Sequence, residues 1–312
     1  MTSPEVSVII PGFGRAGALA ECLRALAAQT LPRERFEVIV CDDGSEVPLA
    51  TALAPTLGTL GNLRLTFVRQ GNSGPAAARN RAADAAQGRY LAFTDDDCRP
   101  APDWLEKLMG HFAAHPNALI GGGMCTASSS DAYARATQAI MRFVYDDQSK
   151  RSGMLLFSTS NLALPAHAFR DMGGFSSSFR LAAGEDYDLC ARWYHQGGAM
   201  AYLPDARVVH NHALTFGGYV RQHYQYGRGL FIMRRRLKER GGSIRPGRIP
   251  GSFHLRLIAS PIRAGQFSGF GCAMLIALSQ LATGAGVLAQ LLARRPRERK
   301  PVGLTKAPNR YA

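Results

Sequence analysis

Residues 90–97 read Tyr-Leu-Ala-Phe-Thr-Asp-Asp-Asp, an apolar run that ends in three acidic residues. The run has the length and composition of a buried strand. Alternate side chains of an extended backbone point the same way, so Asp95 and Asp97 can face one pocket and bind a hard divalent metal ion through oxygen atoms. The alternative is an acidic loop that caps the next helix, because Pro102 and Asp103 also resemble a helix start.

The first half of the chain alternates short apolar runs with helical patterns. Strands are predicted near 6–10, 36–41, 63–68, 89–94 and 118–124, and helices near 15–28, 75–87 and 102–114. This rhythm predicts an α/β fold with a mostly parallel, mixed sheet flanked by helices. Ligands of such sheets bind beyond the carboxyl ends of the strands. Asp42 and Asp43 follow the second strand and residues 95–97 follow the fourth, so the two acidic clusters are expected to share one rim.

The charge of the chain is unevenly distributed. The net charge is +14, but residues 1–220 carry 19 Lys/Arg against 21 Asp/Glu, whereas residues 221–312 carry 18 against 2. We therefore predict an α/β domain in residues 1–218 and a basic helical appendage in residues 219–312. A basic appendage of this kind suits anionic lipid, nucleic acid or an anionic substrate.

Residues 264–293 contain no charged side chain and exceed the roughly 20 residues that an apolar helix needs to cross a bilayer. Polar residues and glycines weaken the run, and basic residues flank both of its ends, which disfavours a single span. The alternatives are attachment to a membrane surface, a true span, and packing against the soluble domain. We favour attachment to an anionic membrane surface.

The start of the chain and its cysteines bear on where the protein works. No basic region followed by a long apolar stretch marks a signal peptide, and the six cysteines are scattered without a C-x-x-C pair, which indicates reduced thiols. We expect a cytoplasmic protein, peripheral or monotopic at the inner face of the cell membrane.

Six short motifs occur in one order along the chain. They are Val-Ser-Val-Ile-Ile-Pro (6–11), Cys-Asp-Asp-Gly-Ser (41–45), Gly-Pro-Ala-Ala-Ala-Arg-Asn (74–80), Asp-Asp-Asp (95–97), Gly-Gly-Phe (173–175) and Glu-Asp-Tyr-Asp-Leu-Cys-Ala-Arg (185–192). Over residues 4–215 the chain resembles the family-2 glycosyltransferases, which have the glycosyltransferase-A fold. One departure is Gly-Phe-Gly at 12–14, where relatives often carry a Tyr-Asn pair.

The resemblance implies an inverting, metal-dependent enzyme. It would move a sugar from a nucleotide diphosphate-sugar, UDP by default, to a hydroxyl of a glycan, lipid-linked or metabolite acceptor by single displacement. Mn²⁺ or Mg²⁺ held by Asp97, with Asp95, would stabilise the leaving diphosphate. Asp43 resembles the carboxylate that accepts a hydrogen bond from the base. The other expected donor contacts are Pro11, Gly12, Arg79, Asp95 and Asp96, although Arg79 is equally compatible with a surface position.

The acidic motif at 185–192 opens a predicted helix. Consecutive helical residues point about 100° apart, so Glu185 and Asp186 cannot both reach one hydroxyl. The resemblance favours Asp186 as the base, with Glu185 as a second candidate catalytic residue. We expect the helix N-terminus to keep Asp186 ionised near neutral pH. Asp188 and Arg192 are four residues apart and suit a structural ion pair.

Further candidates lie downstream of the acidic motif. His210 ends a strand-like stretch where some relatives place a metal-binding histidine, and His212 is a weaker candidate. Trp193 and Tyr194 suit stacking on an acceptor sugar or packing in the core. One helical face with Arg221, Gln225 and Arg228 suits phosphates, lipid headgroups or solvent.

Two competing functions remain open at this point. A nucleotidyltransferase also uses a parallel sheet and acidic metal sites, but no glycine-rich basic loop follows the first strand. A basic membrane- or nucleic-acid-binding protein with an inactive core would not need to keep Asp43, Asp97 and Asp186 together. We therefore expect an enzyme whose partners are a nucleotide-sugar, a hydroxyl acceptor and a membrane surface, and not nucleic acid.

Overall fold

The computed structural model describes residues 3–126, 131–151, 154–176, 179, 183–211, 214–239, 251–263 and 269–293. Within these residues the sheet consists of β1 (Val6–Gly12), β2 (Phe36–Asp42), β3 (Leu65–Arg69), β4 (Tyr90–Phe93), β5 (Cys98–Pro100), β6 (Leu119–Thr126), β7 (Leu162–Pro165) and β8 (Met200–His210). The helices are α1 (Ala16–Ala27), α2 (Leu49–Ala52), α3 (Ala54–Leu57), α4 (Pro75–Asp84), α5 (Trp104–Ala114), α6 (Ala132–Arg151), α7 (Ala166–Asp171), α8 (Glu185–His195), α9 (Phe216–Glu239), α10 (Phe253–Arg263) and α11 (Gly269–Leu292).

The strands form one mixed sheet in the order β3-β2-β1-β4-β7-β6-β8-β5. Strands β3, β2, β1 and β4 are mutually parallel, and β6 is parallel to β8. The pairs β4–β7, β6–β7 and β5–β8 are antiparallel. The predicted α/β fold with a mostly parallel, mixed sheet is confirmed.

Both faces of the sheet are covered, which explains why β1 and β2 are mostly apolar and buried along their whole length. Val8 and Ile10 of β1 point to one face and join the core formed with α1 and α5. Ile9 points to the other face, where it packs with residues of α4, α7 and α8. Because the strands are fixed from both sides, the loops at their carboxyl ends are held on a rigid frame.

Residues 200–210 form one continuous strand, β8. In β8 the residue opposite Gly122 is Leu203 and the residue opposite Gly123 is Arg207, so residues 204–206 bulge out of the ladder. The bulge accommodates Pro204, which cannot donate a ladder hydrogen bond. The strand therefore continues to His210 and delivers it to the rim.

The C-terminal helices pack on one another and on α6. Helix α11 lies along α9, where a Cβ atom on Gly227 would come within 1.9 Å of the Thr283 carbonyl oxygen, and one on Gly286 within 2.0 Å of the Tyr224 carbonyl oxygen. The Tyr219 hydroxyl donates to the carbonyl of Leu275 at 3.0 Å. Glycine at these two positions lets the helix backbones approach closely.

One face of α11 is turned away from the other helices. Its exposed large apolar side chains are Phe270, Met274, Leu281, Leu288, Leu291 and Leu292. In the described part of the chain, α11 is the one helix long and apolar enough to cross a membrane, by length and composition only. The division into residues 1–218 and 219–312 stays a prediction.

Candidate active site

The site is a cavity of about 740 Å³ at the carboxyl ends of β1, β2 and β4. Loops after these strands form its floor, the N-terminus of α8 forms one side, and α9 forms another. Of the residues that we expected in the site, the following line the cavity: Pro11, Gly12, Asp43, Arg79, Asp95, Asp96, Asp97, Glu185, Asp186 and His210. His212 lies outside the described residues.

Asp43 lies directly after β2 and is held by three hydrogen bonds. One carboxylate oxygen accepts from Gln70 Nε2 at 2.7 Å and from the Ser73 amide at 2.9 Å, and the other accepts from the Gly74 amide at 2.9 Å. These bonds fix the carboxylate at the wall of the cavity. Asp42, in contrast, accepts from backbone amides of the following loop and does not line the cavity, which fits the structural role that we considered for it.

Arg79 is buried and joins two acidic segments of the site. Its Nη2 donates to Asp95 at 2.7 Å and its Nη1 to Glu185 at 2.9 Å. Burial alone would lower the pKa of Arg79, but the charges of the two carboxylates outweigh it and the pKa is raised. The alternative that Arg79 is a surface residue is wrong. The other oxygen of Asp95 accepts from the Ser160 hydroxyl at 2.6 Å.

A second cluster lies around Asp97. Its Oδ1 is 3.2 Å from His210 Nε2, and its Oδ2 accepts from Arg15 Nη1 at 2.7 Å. Arg15 also donates to Asp96 through Nε at 3.2 Å and through Nη2. Burial raises the pKa of Asp96 to about 7 against the opposing charge of Arg15. Burial would lower the pKa of His210, but its hydrogen bond to Asp97 outweighs this and the pKa is raised.

Asp97, Cys98 and His210 place one candidate ligand atom each within 4.8 Å of one another. A carboxylate oxygen and an imidazole nitrogen suit Mn²⁺, whereas Mg²⁺ prefers oxygen ligands alone. Burial raises the pKa of the Cys98 thiol well above its usual range, and Mn²⁺ and Mg²⁺ prefer oxygen to sulfur ligands, so Cys98 is the weakest of the three candidates for these ions. The donor set of Asp97 and His210 therefore fits a divalent ion.

Asp186 is the second residue of α8. It is half-buried and lines the cavity. Gly184 precedes the helix with φ 93°, a backbone conformation that favours glycine. The Asp186 carboxylate accepts from the Tyr187 amide at 2.8 Å. Burial, followed by the charge of Glu185, raises the pKa of Asp186 to about 7. The expectation that the helix N-terminus keeps this group ionised near neutral pH stays a prediction, and burial acts against it.

Helix α9 closes another side of the cavity. Its lining residues are Gly218, Arg221, Gln222, Gln225 and Tyr226. Arg228 is turned toward α11, where it contacts Gln290 at 3.3 Å. Arg221, although exposed, and Gln225 therefore line the site. A pattern of basic and amide residues on one helix face was the sequence signal for this wall.

A smaller cavity of about 120 Å³ opens beside Asp186, between α6 and α9. Met124, Met141 and Leu214 give it apolar walls, and Thr137 and Gln222 add polar atoms. Trp193 does not reach either cavity, because it is buried and donates to the Ala199 carbonyl at 2.8 Å. The expected Asp188–Arg192 ion pair is confirmed at 2.8 Å.

The chain is similar to proteins of one family. The family model described as glycosyl transferase family 2 matches residues 7–173. Glycosyltransferase AglE of Haloferax volcanii is 28% identical over 233 residues, which are 73% of this chain and 73% of AglE. The pre-mycofactocin glycosyltransferase of Mycobacterium tuberculosis is 28% identical over 230 residues, 72% of this chain and 46% of that protein, so the match spans about half of its length.

Solved structures share the fold. The mannosyltransferase PcManGT from Pyrobaculum calidifontis, solved in complex with GDP-Man and Mn²⁺, superposes with a TM-score of 0.66, 22% sequence identity, and coverage of 94% of this chain and 89% of that one. TarS of S. aureus, solved in complex with UDP, gives a TM-score of 0.52 with 17% identity over 92% of this chain and 89% of that one. At these identities the likeness establishes the fold.

Proposed function

This chain belongs to glycosyl transferase family 2, and from that premise we propose that it is an inverting, metal-dependent glycosyltransferase. It moves a sugar from a nucleotide diphosphate-sugar to a hydroxyl acceptor by single displacement. The observation on which this rests is that one cavity brings together a fixed carboxylate after β2, an Asp–His pair and a half-buried carboxylate whose pKa is close to 7.

The donor would bind at the carboxyl ends of β1 and β2, close to Arg79. Asp43 accepts a hydrogen bond from the base, beside Pro11 and Gly12, because its carboxylate is already fixed at the cavity wall. Asp95 lies next along the rim and is oriented by Arg79 and Ser160, which suits contact with the ribose. UDP remains the default nucleotide, and the GDP-Man bound by PcManGT makes GDP the first alternative.

The proposed metal ligands are Asp97 and His210, with Asp95 as a further expected ligand. A bound Mn²⁺ or Mg²⁺ supplies Lewis-acid stabilisation of the diphosphate that leaves. Asp97 and His210 would hold that ion at the rim of the cavity. Of these two ions, a ligand set that includes imidazole suits Mn²⁺ better than Mg²⁺, which prefers oxygen ligands alone.

Asp186 is the proposed general base. The acceptor oxygen forms the new bond to C1 of the sugar while the bond from C1 to the diphosphate oxygen breaks, and the acceptor proton passes to the Asp186 carboxylate. A pKa of about 7 lets this group hold the proton after transfer and lose it again at neutral pH. Glu185 lies in the same helical turn, but its carboxylate is paired with Arg79, so we assign it to positioning.

We also propose that the protein attaches to a membrane through its C-terminal helices. The exposed apolar face of α11 and the basic composition of residues 221–312 support docking on an anionic membrane surface, with α11 lying in the interface and not crossing it. Because α9 packs on α11 and lines the site, the cavity lies one helix away from that surface. We place the protein at the cytoplasmic face of the membrane.

The experiment is to incubate a panel of UDP-, GDP- and dTDP-sugars with the protein and Mn²⁺, and to determine by NMR the anomeric form of the released sugar. An inverting enzyme releases the anomer opposite to that of the donor. We expect Asp186→Asn to lower the rate at least about 100-fold while leaving donor binding intact. Retention of configuration, or full activity in the variant, would contradict the proposed mechanism.

A further inference from the structure

Arg15 lines the cavity although no sequence motif singled it out. It is the residue before α1, in the loop whose Gly-Phe-Gly sequence departs from the family pattern. Its guanidinium reaches across the rim to Asp96 and Asp97. The arginine side chain is 48% exposed, whereas the two carboxylates are 2% and 8% exposed.

The position of the guanidinium conflicts with metal binding. Asp97 offers two oxygens, and Arg15 is on Oδ2 at 2.7 Å while His210 is on Oδ1 at 3.2 Å. A divalent ion held by Asp97 and His210 would lie within a few ångströms of the guanidinium charge, and repulsion between the two cations disfavours their presence together at this carboxylate. Arg15 and the ion therefore compete for Asp97.

We propose that Arg15 competes with the metal ion for Asp97, and that it exchanges Asp97 for the diphosphate of the donor when metal and nucleotide bind together. The inference rests on the proposed function, since it assumes a nucleotide diphosphate in this cavity. Arg15 is then a donor-binding residue that also couples metal binding to nucleotide binding. A guanidinium suits this exchange, because its planar donors match carboxylate and phosphate oxygens equally well.

The contact with Asp96 limits how far Arg15 moves. Asp96 is almost fully buried, and Arg15 provides its two side-chain ion contacts in the described part of the site. Leaving a buried carboxylate without its cation is costly. The guanidinium therefore pivots on Asp96, releasing Asp97 while it keeps the first contact, and its half-exposed side chain has room in the cavity to do so.

If the role of Arg15 were purely structural, its loss would change the metal affinity in the opposite direction. If the guanidinium only held the acidic cluster in shape, its loss would let Asp96 and Asp97 repel each other and would weaken metal binding. If it competes with the ion, its loss removes a competing positive charge from Asp97, which strengthens metal binding. The sign of the change in metal affinity separates the two roles.

The test is a Mn²⁺ titration followed by electron paramagnetic resonance, without nucleotide, on the full chain. We expect Arg15→Met to bind Mn²⁺ at least about tenfold more tightly than wild type, and Arg15→Lys to fall between them, because lysine keeps the charge without the planar fork. Arg69→Met is the matched control: Arg69 is 46% exposed and lies near Asp42, outside the cavity. It should change the affinity by less than about twofold.

Unchanged or weaker Mn²⁺ binding in folded Arg15→Met and Arg15→Lys would overturn the competition. The second arm measures binding of UDP and GDP at saturating Mn²⁺, where loss of Arg15 should weaken binding several-fold; no change would overturn the exchange. Asp97→Asn separates this inference from the proposed function. If it abolishes Mn²⁺ binding while Arg15→Met changes nothing, the metal site stands and the role of Arg15 is wrong.

Discussion

The Nη1 atom of Arg79 donates to Oε1 of Glu185 at 2.9 Å, in a buried ion pair that connects α4 to the first turn of α8. The same turn contains Asp186, whose carboxylate faces the cavity. The ion pair therefore fixes the orientation of the helix end on which the proposed base lies. It also places a negative charge beside Asp186. Burial is the larger cause of the raised pKa of Asp186, and this charge is the second.

Glu185→Gln removes this charge and keeps a hydrogen-bond acceptor for Arg79. Because Glu185 raises the pKa of Asp186, its neutralisation should lower that pKa. The base must be deprotonated to act, so wild-type activity should rise with pH through about 7, and the variant should reach its plateau at lower pH. The measurement is the pH dependence of kcat/KM for both proteins. A midpoint that stays in place or moves to higher pH would contradict this account.

The same variant should be less stable, because Arg79 loses a buried charged partner. We expect the free energy of unfolding to fall by about 1–3 kcal/mol. Urea denaturation at pH 8 measures the change. Asp186→Asn is the matched control, because Asp186 forms no ion pair of this kind in the described structure and its replacement should not destabilise the fold by a comparable amount.

Because of the buried His223, we predict that the fold is less stable in acid. It is buried in α9 among aromatic rings, and burial lowers its pKa from 6.5 to about 4. The unfolded chain binds a proton as the pH falls below 6.5, but the folded chain does not until about pH 4. Stability should therefore fall across this window, by up to about 3 kcal/mol.

His223→Phe should remove most of this acid sensitivity, because phenylalanine keeps the ring contacts without a titrating group. The measurement compares urea midpoints at pH 7.5 and pH 5 for wild type and variant. Replacement of the exposed His195 by Gln is the control and should retain the wild-type difference. Equal acid sensitivity in His223→Phe and wild type would show that other groups are responsible.

The close approach of α9 and α11 depends on Gly227. A Cβ at this position would meet the Thr283 carbonyl at 1.9 Å, so Gly227→Ala forces the helices apart. We expect a loss of at least about 2 kcal/mol in thermal unfolding. Gly284→Ala on α11 has open space around the new methyl group and should be neutral or up to about 1 kcal/mol stabilising. Similar effects of the two substitutions would show that the contact does not hold the helices together.

The outer face of α11 is predicted to bind membranes. Replacing Phe270, Leu281 and Leu288 by Gln removes three exposed apolar side chains without touching the packed face. Each contributes about 1.5–3 kcal/mol when buried, so binding to vesicles that contain phosphatidylglycerol should fall at least about 100-fold. The control is Val47→Gln, because Val47 is also apolar and exposed but does not belong to α11. Co-sedimentation of the triple variant at the wild-type level would refute attachment through this face.

The sequence predicted the sheet and the rim because these depend on local patterns. Apolar runs of strand length with intervening helices are sufficient for β1, β2 and β4, and the acidic residues that follow them must lie at one edge. The continuous β8 was not predicted, because the bulge at residues 204–206 depends on the glycines that pair with it from β6.

The choice of partners inside the site was not predictable from the sequence. Arg79 looked as compatible with the surface as with the cavity, and only the packing of α4 against α8 brings it to Asp95 and Glu185. The contacts of Arg15 with Asp96 and Asp97 join residues 81 and 82 positions apart, and no local pattern encodes such a pairing. The wall formed by α9 likewise depends on how α11 holds that helix.

The most direct test of the account is equilibrium binding of UDP- and GDP-sugars to wild type and Asp97→Ala, each with Mn²⁺ and with a chelator. The account predicts that wild type selects one nucleotide, that the chelator weakens this binding, and that Asp97→Ala binds weakly in both conditions. Donor binding that is indifferent to both the chelator and the substitution would contradict a metal-dependent transferase at this cavity.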